Sequence, residues 1–411
     1  MLLDLARLTH DSMRITWVVS LAMSLMASFA SAQAPGVGVR DVSWVNASGA
    51  GTPILDARVH YPSAVGGVNA PLSPLAGGRP VVVFLHGYGW LGSDYWAIGD
   101  HLAQEGFIAV MLNTAQWDFV AMEHDGRAMF AALAAANGST SSFFHHQLNM
   151  QKVGLMGHSM GGGVAAYVMF DVAGHPLANP GYECALSLAP VNPGAPAMSV
   201  RAPYGIVSGD GDLVTPPLQH SEPFYEMLSP VEGLKFHYHM DWGCDHMNLA
   251  GLSPAAPEVF DRTMAIATGF FGQFLGRGYN GLESVLGVDG LADSHLVQVD
   301  RQIVTPVIWC DAPLNVGNLS RITVVSENGY VGLLGAQSIA APMATPLGEL
   351  LLDPGTAFAL AESLTATQRF DIYLAVPNDP LLVGATFAVQ GAGATVASPF
   401  LLGSAMMFRM N

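Results

Sequence analysis

The sequence predicts an α/β protein: a mostly parallel, doubly wound sheet with helices on both faces, followed by a smaller, mostly β unit. Three observations carry that expectation. Strand-like apolar runs alternate with helical stretches between residues 80 and 275, the pattern of a sheet built from crossover helices. Several runs are continuously apolar rather than alternating, as strands buried on both faces require. After Gly276–Gly281 the texture changes to short β-like runs divided by Gly, Pro, Asn and Asp turns.

The elements follow in order. Pro35–Ala76 holds strand-like pieces such as Asp56–Pro62. Pro80–Leu85 is an apolar strand that ends in His86-Gly87-Tyr88-Gly89-Trp90. Ser93–Gly106 reads as an N-capped helix stopped by glycine. Phe107–Leu112 is a strand and Asp118–Ala135 a helix ending at Asn137-Gly138. Val153–Gly163 is a strand, a Gly-His-Ser-Met-Gly turn and the start of a helix. Cys184–Leu188, Tyr204–Val207 and Leu234–Met240 are further strands, Glu222–Leu228 is helical, and the amphipathic stretch Pro257–Leu275 closes the unit. Beyond it, Leu296–Val299, Arg321–Val325, Phe370–Val376 and Thr386–Gln390 read as strands of a separate unit. The expected division is 1–34, 35–278 and 279–411.

A chain of 411 residues with 51% hydrophobic and 11% charged residues can bury a large core. Its net charge of −17, without any Lys/Arg cluster, argues against nucleic acid or an anionic membrane as partner. Met13-Arg14, the apolar run Ile15–Phe29 and Ala30-Ser31-Ala32-Gln33-Ala34 have the form of a secretory signal, with Met13 read as the true start. The run is short for a retained span, and no later stretch is long and apolar enough. A secreted or periplasmic location is expected. Cys184, Cys244 and Cys310 leave room for one disulfide whose pairing the spacing does not determine, and they match no zinc motif. No metal or cofactor is expected.

A serine between glycines at a strand-to-helix turn is a nucleophile elbow. The turn is sharp, so its neighbours must be small; Gly157 and Gly161 meet that need around Ser159. Acyl transfer at a serine also needs a base, an acid that orients the base, and oxyanion donors. The loop after Tyr204–Val207 delivers Asp210 and Asp212. Asp212 is preferred as the acid, with Asp210 read as a turn residue. His246, after a small-residue loop, is the candidate base. The candidate oxyanion donors are the backbone N–H groups of Met160 and Tyr88. The rings of Tyr88 and Trp90 are expected to flank the acyl group. His86 and His158 read as structural, His237 and His239 as sharing one strand face, and His145-His146 as adjacent rings diverging on a surface loop.

At these residues the chain resembles the secreted polyester hydrolases, the bacterial cutinase and polyethylene-terephthalate-hydrolase branch of the α/β-hydrolases. These lie near dienelactone hydrolases, chlorophyllases and platelet-activating-factor acetylhydrolases. The resemblance rests on Met156–Gly163, Leu102–Phe107, Asp125–Met129, Asp210–Pro216, Pro223-Phe224-Tyr225 and Gly243–His246, and it spans Pro80–Gly276. It implies a triad of Ser159, Asp212 and His246, an oxyanion hole at Tyr88 and Met160, and no cofactor. The family often carries a tryptophan where this chain has Val191 after Ala189-Pro190, a departure that bears on aromatic acyl groups at that substrate position. The implied activity is hydrolysis of carboxylic esters, polymeric or lipid-like. A lipase, acetylhydrolase or thioesterase on the same triad is the alternative, and a binding protein working through its β unit is the alternative of another class.

Overall fold

The computed structural model describes residues 36–170, 180–194, 198–200, 202–230, 233–276, 281–326, 329–365, 369–394 and 401–410. The expected signal at 1–34, with its start at Met13, lies outside them. Among the described residues no helix is long and apolar enough to cross a membrane.

Ten strands form one sheet. In chain order the elements of this part are β1 (Gly36–Val45), β2 (Ile54–Ser63), β3 (Gly67–Val68), β4 (Arg79–Leu85), α1 (Trp96–Gln104), β5 (Ile108–Leu112), α2 (Phe119–Gly138), β6 (Leu148–His158), α3 (Met160–Met169), β7 (Cys184–Leu188), β8 (Met198–Val200), β9 (Tyr204–Gly209), α4 (Ser221–Met227), β10 (Leu228–Pro230), β11 (Leu234–Met240), α5 (Pro257–Leu275), α6 (Glu283–Leu286), α7 (Val288–Leu291) and β12 (Leu296–Ile303). The sheet order is β12-β11-β9-β7-β6-β4-β5-β2-β1-β3, with β8 and β10 paired apart from it. Strands from β5 to β11 run parallel, while β2 joins β5, and β12 joins β11, antiparallel. This is the doubly wound α/β-hydrolase architecture. β4, β5, β7 and β9 are buried along almost their whole length, which explains why they read as continuous apolar runs.

Local chemistry sets the helix ends. The Asp118 carboxylate accepts from the N–H groups of Val120 and Ala121, capping α2. Gly276 closes α5 in a left-handed conformation. One apolar cluster covers one face of the sheet through Phe236, Tyr238, Phe270 and Phe271; another covers the opposite face through Val83, Leu155, Ala165 and Phe224.

Nine further strands follow: β13 (Val307–Cys310), β14 (Leu319–Val325), β15 (Gly329–Ala336), β16 (Ile339–Thr345), β17 (Gly348–Leu352), β18 (Phe358–Thr365), β19 (Arg369–Ala375), β20 (Thr386–Ala394) and β21 (Leu401–Arg409). They form small antiparallel sheets, β13-β14-β19, β18-β15-β20-β21 and β16-β17. The run beginning at Leu296, read from sequence as part of this β unit, instead supplies the edge of the large sheet as β12. The apolar cluster around Phe236 and Phe270 also continues through Trp309, Val331 and Val389.

Candidate active site

Ser159 sits between β6 and α3 with φ 55° and ψ −118°. A non-glycine residue at such a φ is strained and persists only where its surroundings over-determine it. Here the backbone is pinned on several sides. The Ser159 N–H donates to the Leu188 carbonyl at 3.0 Å, its carbonyl accepts from Val191 N–H at 2.9 Å, and Gly161 N–H donates to the His86 carbonyl at 3.1 Å. A Cβ at Gly157 would overlap the Gly161 carbonyl, and one at Gly161 would overlap that of Leu85. The two flanking glycines are therefore steric requirements of this turn.

The structure brings Asp212 and His246 together from two different strand ends. Nδ1 of His246 lies 2.7 Å from Oδ2 of Asp212, which is fully buried. The N–H groups of Val214 and Thr215 donate to its other oxygen at 2.8 and 2.7 Å. The Thr215 hydroxyl lies 2.7 Å from Oδ2 and 3.1 Å from His246 Nδ1. Burial alone would raise the Asp212 pKa. The His246 bond and charge and the Thr215 donors outweigh it and hold the carboxyl below its ordinary value. Asp210 is turned elsewhere: its carboxylate pairs with His239 Nε2 at 2.9 Å rather than bonding its own turn.

The loop after β4 carries Tyr88 and Trp90. The Tyr88 ring, 60% exposed, meets Trp117 edge-on at a centroid distance of 4.9 Å. Gly89 and Gln116 lock the two loops together, N–H to carbonyl at 2.9 Å and side-chain amide to carbonyl at 2.7 Å. Trp90 instead leans on Tyr95, centroids 6.3 Å apart. Met160 opens α3 and is buried. Val191 meets the elbow through its backbone. Tyr88, Trp117, Leu213, Val214 and Trp242 are all exposed apolar side chains on the loops at this end of the sheet.

Sequence reasoning missed Thr215, Trp117 and Tyr95. Thr215 lies in the run Asp210–Pro216, and a hydroxyl three residues after Asp212 was a usable signal. Trp117 approaches Tyr88 only through the pairing of two distant loops. Two histidine readings change as well. His145 and His146 do not diverge: their rings lie 3.9 Å apart, because His146 takes a φ of 55° that folds the pair back. His237 and His239 do share a face, stacked at 5.5 Å. The three cysteines are buried and free. The Cys244 thiol, pushed up to about 12 by burial and then by Asp241, lies beside the Asp241–His295 pair; these three form a group whose ligand atoms fall within 4.8 Å of one another.

A family model described as PET hydrolase-like matches residues 26–249. The chain belongs to the PET hydrolase-like family. The chain is similar to a bis(hydroxyethyl) terephthalate hydrolase of Streptomyces coelicolor, 30% identical over 163 residues that cover 40% of this chain and 49% of that protein. Cutinase 2 of Thermobifida cellulosilytica is 30% identical over 151 residues, 36% of this chain and 53% of that protein. Cutinase cut1 of Thermobifida fusca is 30% identical over 151 residues, with 36% and 44% covered. The chain thus spans about half the length of the curated relatives it matches. The matched region ends just past His246 and leaves the β-rich C-terminal part outside it.

Proposed function

We propose that this PET hydrolase-like chain is a secreted serine esterase that cleaves carboxylic esters with apolar acyl groups through an acyl-enzyme. The observation that carries the reading is the short bond between His246 Nδ1 and buried Asp212, set on loops of the same sheet as the strained Ser159 elbow. Asp212 and Thr215 orient the imidazole with its Nδ1–H toward the carboxylate, so Nε2 is the nitrogen that takes the Ser159 proton. Ser159 Oγ attacks the carbonyl, and the N–H groups of Met160 and Tyr88 donate to the developing oxyanion. His246 then protonates the leaving alcohol, and water, activated by the same imidazole, releases the acid.

The apolar rim of Tyr88, Trp117, Leu213, Val214 and Trp242 supports an extended, poorly soluble substrate over a small polar one. With Val191 at the position where the family often has tryptophan, the Tyr88–Trp117 pair and Trp242 offer aromatic surface to the acyl group. The test is hydrolysis of p-nitrophenyl esters of increasing chain length, bis(hydroxyethyl) terephthalate and a polyester film. Ser159→Ala and His246→Ala should each lower kcat by on the order of 10⁴-fold or more while the circular dichroism spectrum is kept. Near-native turnover by pure Ser159→Ala protein would end the serine-esterase reading.

A further inference from the structure

Two buried residues outside the proposed triad join its parts. Tyr95 and His158 are each 1% exposed. The Tyr95 hydroxyl lies 3.0 Å from the Gly87 N–H and 2.9 Å from His158 Nδ1, and His158 Nε2 lies 2.9 Å from the carbonyl of His246. Gly87 immediately precedes Tyr88, the proposed oxyanion donor. His158 immediately precedes Ser159.

The two ends of this chain have fixed roles, because a backbone N–H can only donate and a carbonyl can only accept. Gly87 therefore donates to the Tyr95 oxygen. His158 must carry its proton on Nε2 to satisfy the His246 carbonyl. Its Nδ1 is then an acceptor, and the Tyr95 hydroxyl donates to it. Every polar atom in the line is satisfied once, with both side chains neutral. Burial favours that state: it raises the Tyr95 phenol and, with the nearby His246, pushes the His158 imidazole down to about 3. The His158 and His246 rings lie 4.5 Å apart.

We propose that Tyr95 and His158 are positioning residues, a three-bond relay that fixes the oxyanion loop and the backbone of the general base in register beneath the nucleophile. The inference rests on the proposed roles of Tyr88 and His246. Both roles demand placement within a fraction of an ångström, since donors must meet the oxyanion and the base must meet the serine proton in one geometry. A loop held only by its own turns would not couple the two.

Tyr95→Phe removes one oxygen and keeps the ring contacts with Phe84 at 4.7 Å and His158 at 5.5 Å. On a soluble p-nitrophenyl ester, kcat per active site titrated with a phosphonate should fall on the order of 10- to 100-fold, with KM within about twofold. His158→Gln keeps a donor toward the His246 carbonyl but breaks the bond to Tyr95. The double variant should be no slower than the slower single one, because the bond that His158→Gln breaks is one of the two that Tyr95→Phe already removes. A merely structural role would lower the titrated fraction and leave kcat per site unchanged. That result, or effects that multiply in the double variant, would overturn the relay. Nitrogen NMR of the unmodified, histidine-labelled chain tests the same proposal without turnover. His158 should be neutral, with its proton on Nε2, throughout pH 5–8; a proton on Nδ1 or a titration in that window would overturn the relay. If the unmodified chain hydrolyses no ester, the esterase reading fails, while the NMR result still decides the relay.

Discussion

Lowering the pH from 7 to 5 is expected to cost the folded state about 4 kcal/mol, because two buried histidines refuse the proton that the unfolded chain accepts. His158 and His237 are each 1% exposed, and burial first, then the neighbouring His246 or His239, pushes both down to about 3 from an ordinary 6.5. The unfolded chain therefore binds more protons than the folded one between pH 6.5 and 3, and stability must rise with pH across that window. At pH 5 the unfolded rings are almost fully charged and the folded ones almost fully neutral, which removes about 2 kcal/mol per ring relative to pH 7. His86 and His101, also lowered by burial, act in the same direction. Asp125 and Glu183, raised by burial, bind protons more readily when folded and offset part of the loss toward more acid pH. The assay is guanidinium unfolding at pH 7 and 5, with proton uptake on unfolding followed in a pH-stat. His158→Gln and His237→Gln should each reduce the uptake at pH 5 by about one proton. Equal or greater stability at pH 5, or unchanged uptake in both variants, would refute the assignment of these rings as buried and neutral.

Two further outcomes follow from the geometry. Asp212→Asn should lower kcat on the order of 10⁴-fold by presenting an amide to His246 and favouring the wrong tautomer, whereas Asp210→Asn, which loses only its pairing with His239, should cost a few-fold at most; kinetics of both on one soluble ester decide between the two carboxylates, and a reversed order would move the acid to Asp210. A chain ending at Gly276 should be less stable and lose most of its turnover even on soluble esters; thermal melts and kinetics against the full chain are the check, and a folded short chain with full turnover would show that the later residues are dispensable.

The candidate site was legible because its parts are local phrases. Gly157-His158-Ser159-Met160-Gly161 announces a turn that only small neighbours permit, and the structure shows which carbonyls those neighbours would otherwise strike. The ends of β7, β11 and α5 were legible for the same reason: an apolar run or an amphipathic stretch stops at a glycine, a proline or a polar loop. What escaped was pairing between distant segments. Tyr95 looked like the beginning of a helix, and nothing nearby says that its hydroxyl reaches His158, 63 residues on. Trp117 had no local mark that tied it to Tyr88. Leu296–Val299 carried the short, turn-bounded texture of the β unit, and only its register against β11, His237 opposite Asp300, reveals that it belongs to the large sheet.

That register bears on the chemistry. β11 leads directly into the loop that carries His246, and the loop is tied to residues after Gly276. The Asp241 N–H donates to the His295 carbonyl at 2.8 Å, and the Asp241 carboxylate pairs with the His295 ring at 3.2 Å. The neighbouring helices are fixed in the same way. Tyr238 donates its hydroxyl to the Gly290 carbonyl at 2.7 Å, and Gln273 on α5 reaches the Ile308 carbonyl at 2.7 Å. Glu283 on α6 is 4% exposed and accepts from the Trp309 indole at 2.9 Å, with Arg321 at 3.1 Å. A buried carboxylate held this way is costly to leave without its partners, so α6 and the strands β13 and β14 are bound to each other as well as to α5. Cutting at Gly276 would remove the antiparallel partner of β11, uncover the apolar side chains of α5 that Leu282, Val285 and Leu286 now cover, and release the anchor five residues before the proposed base. The loss should fall on kcat more than on KM, since what is loosened is the placement of His246 rather than the apolar rim around Tyr88 and Trp117.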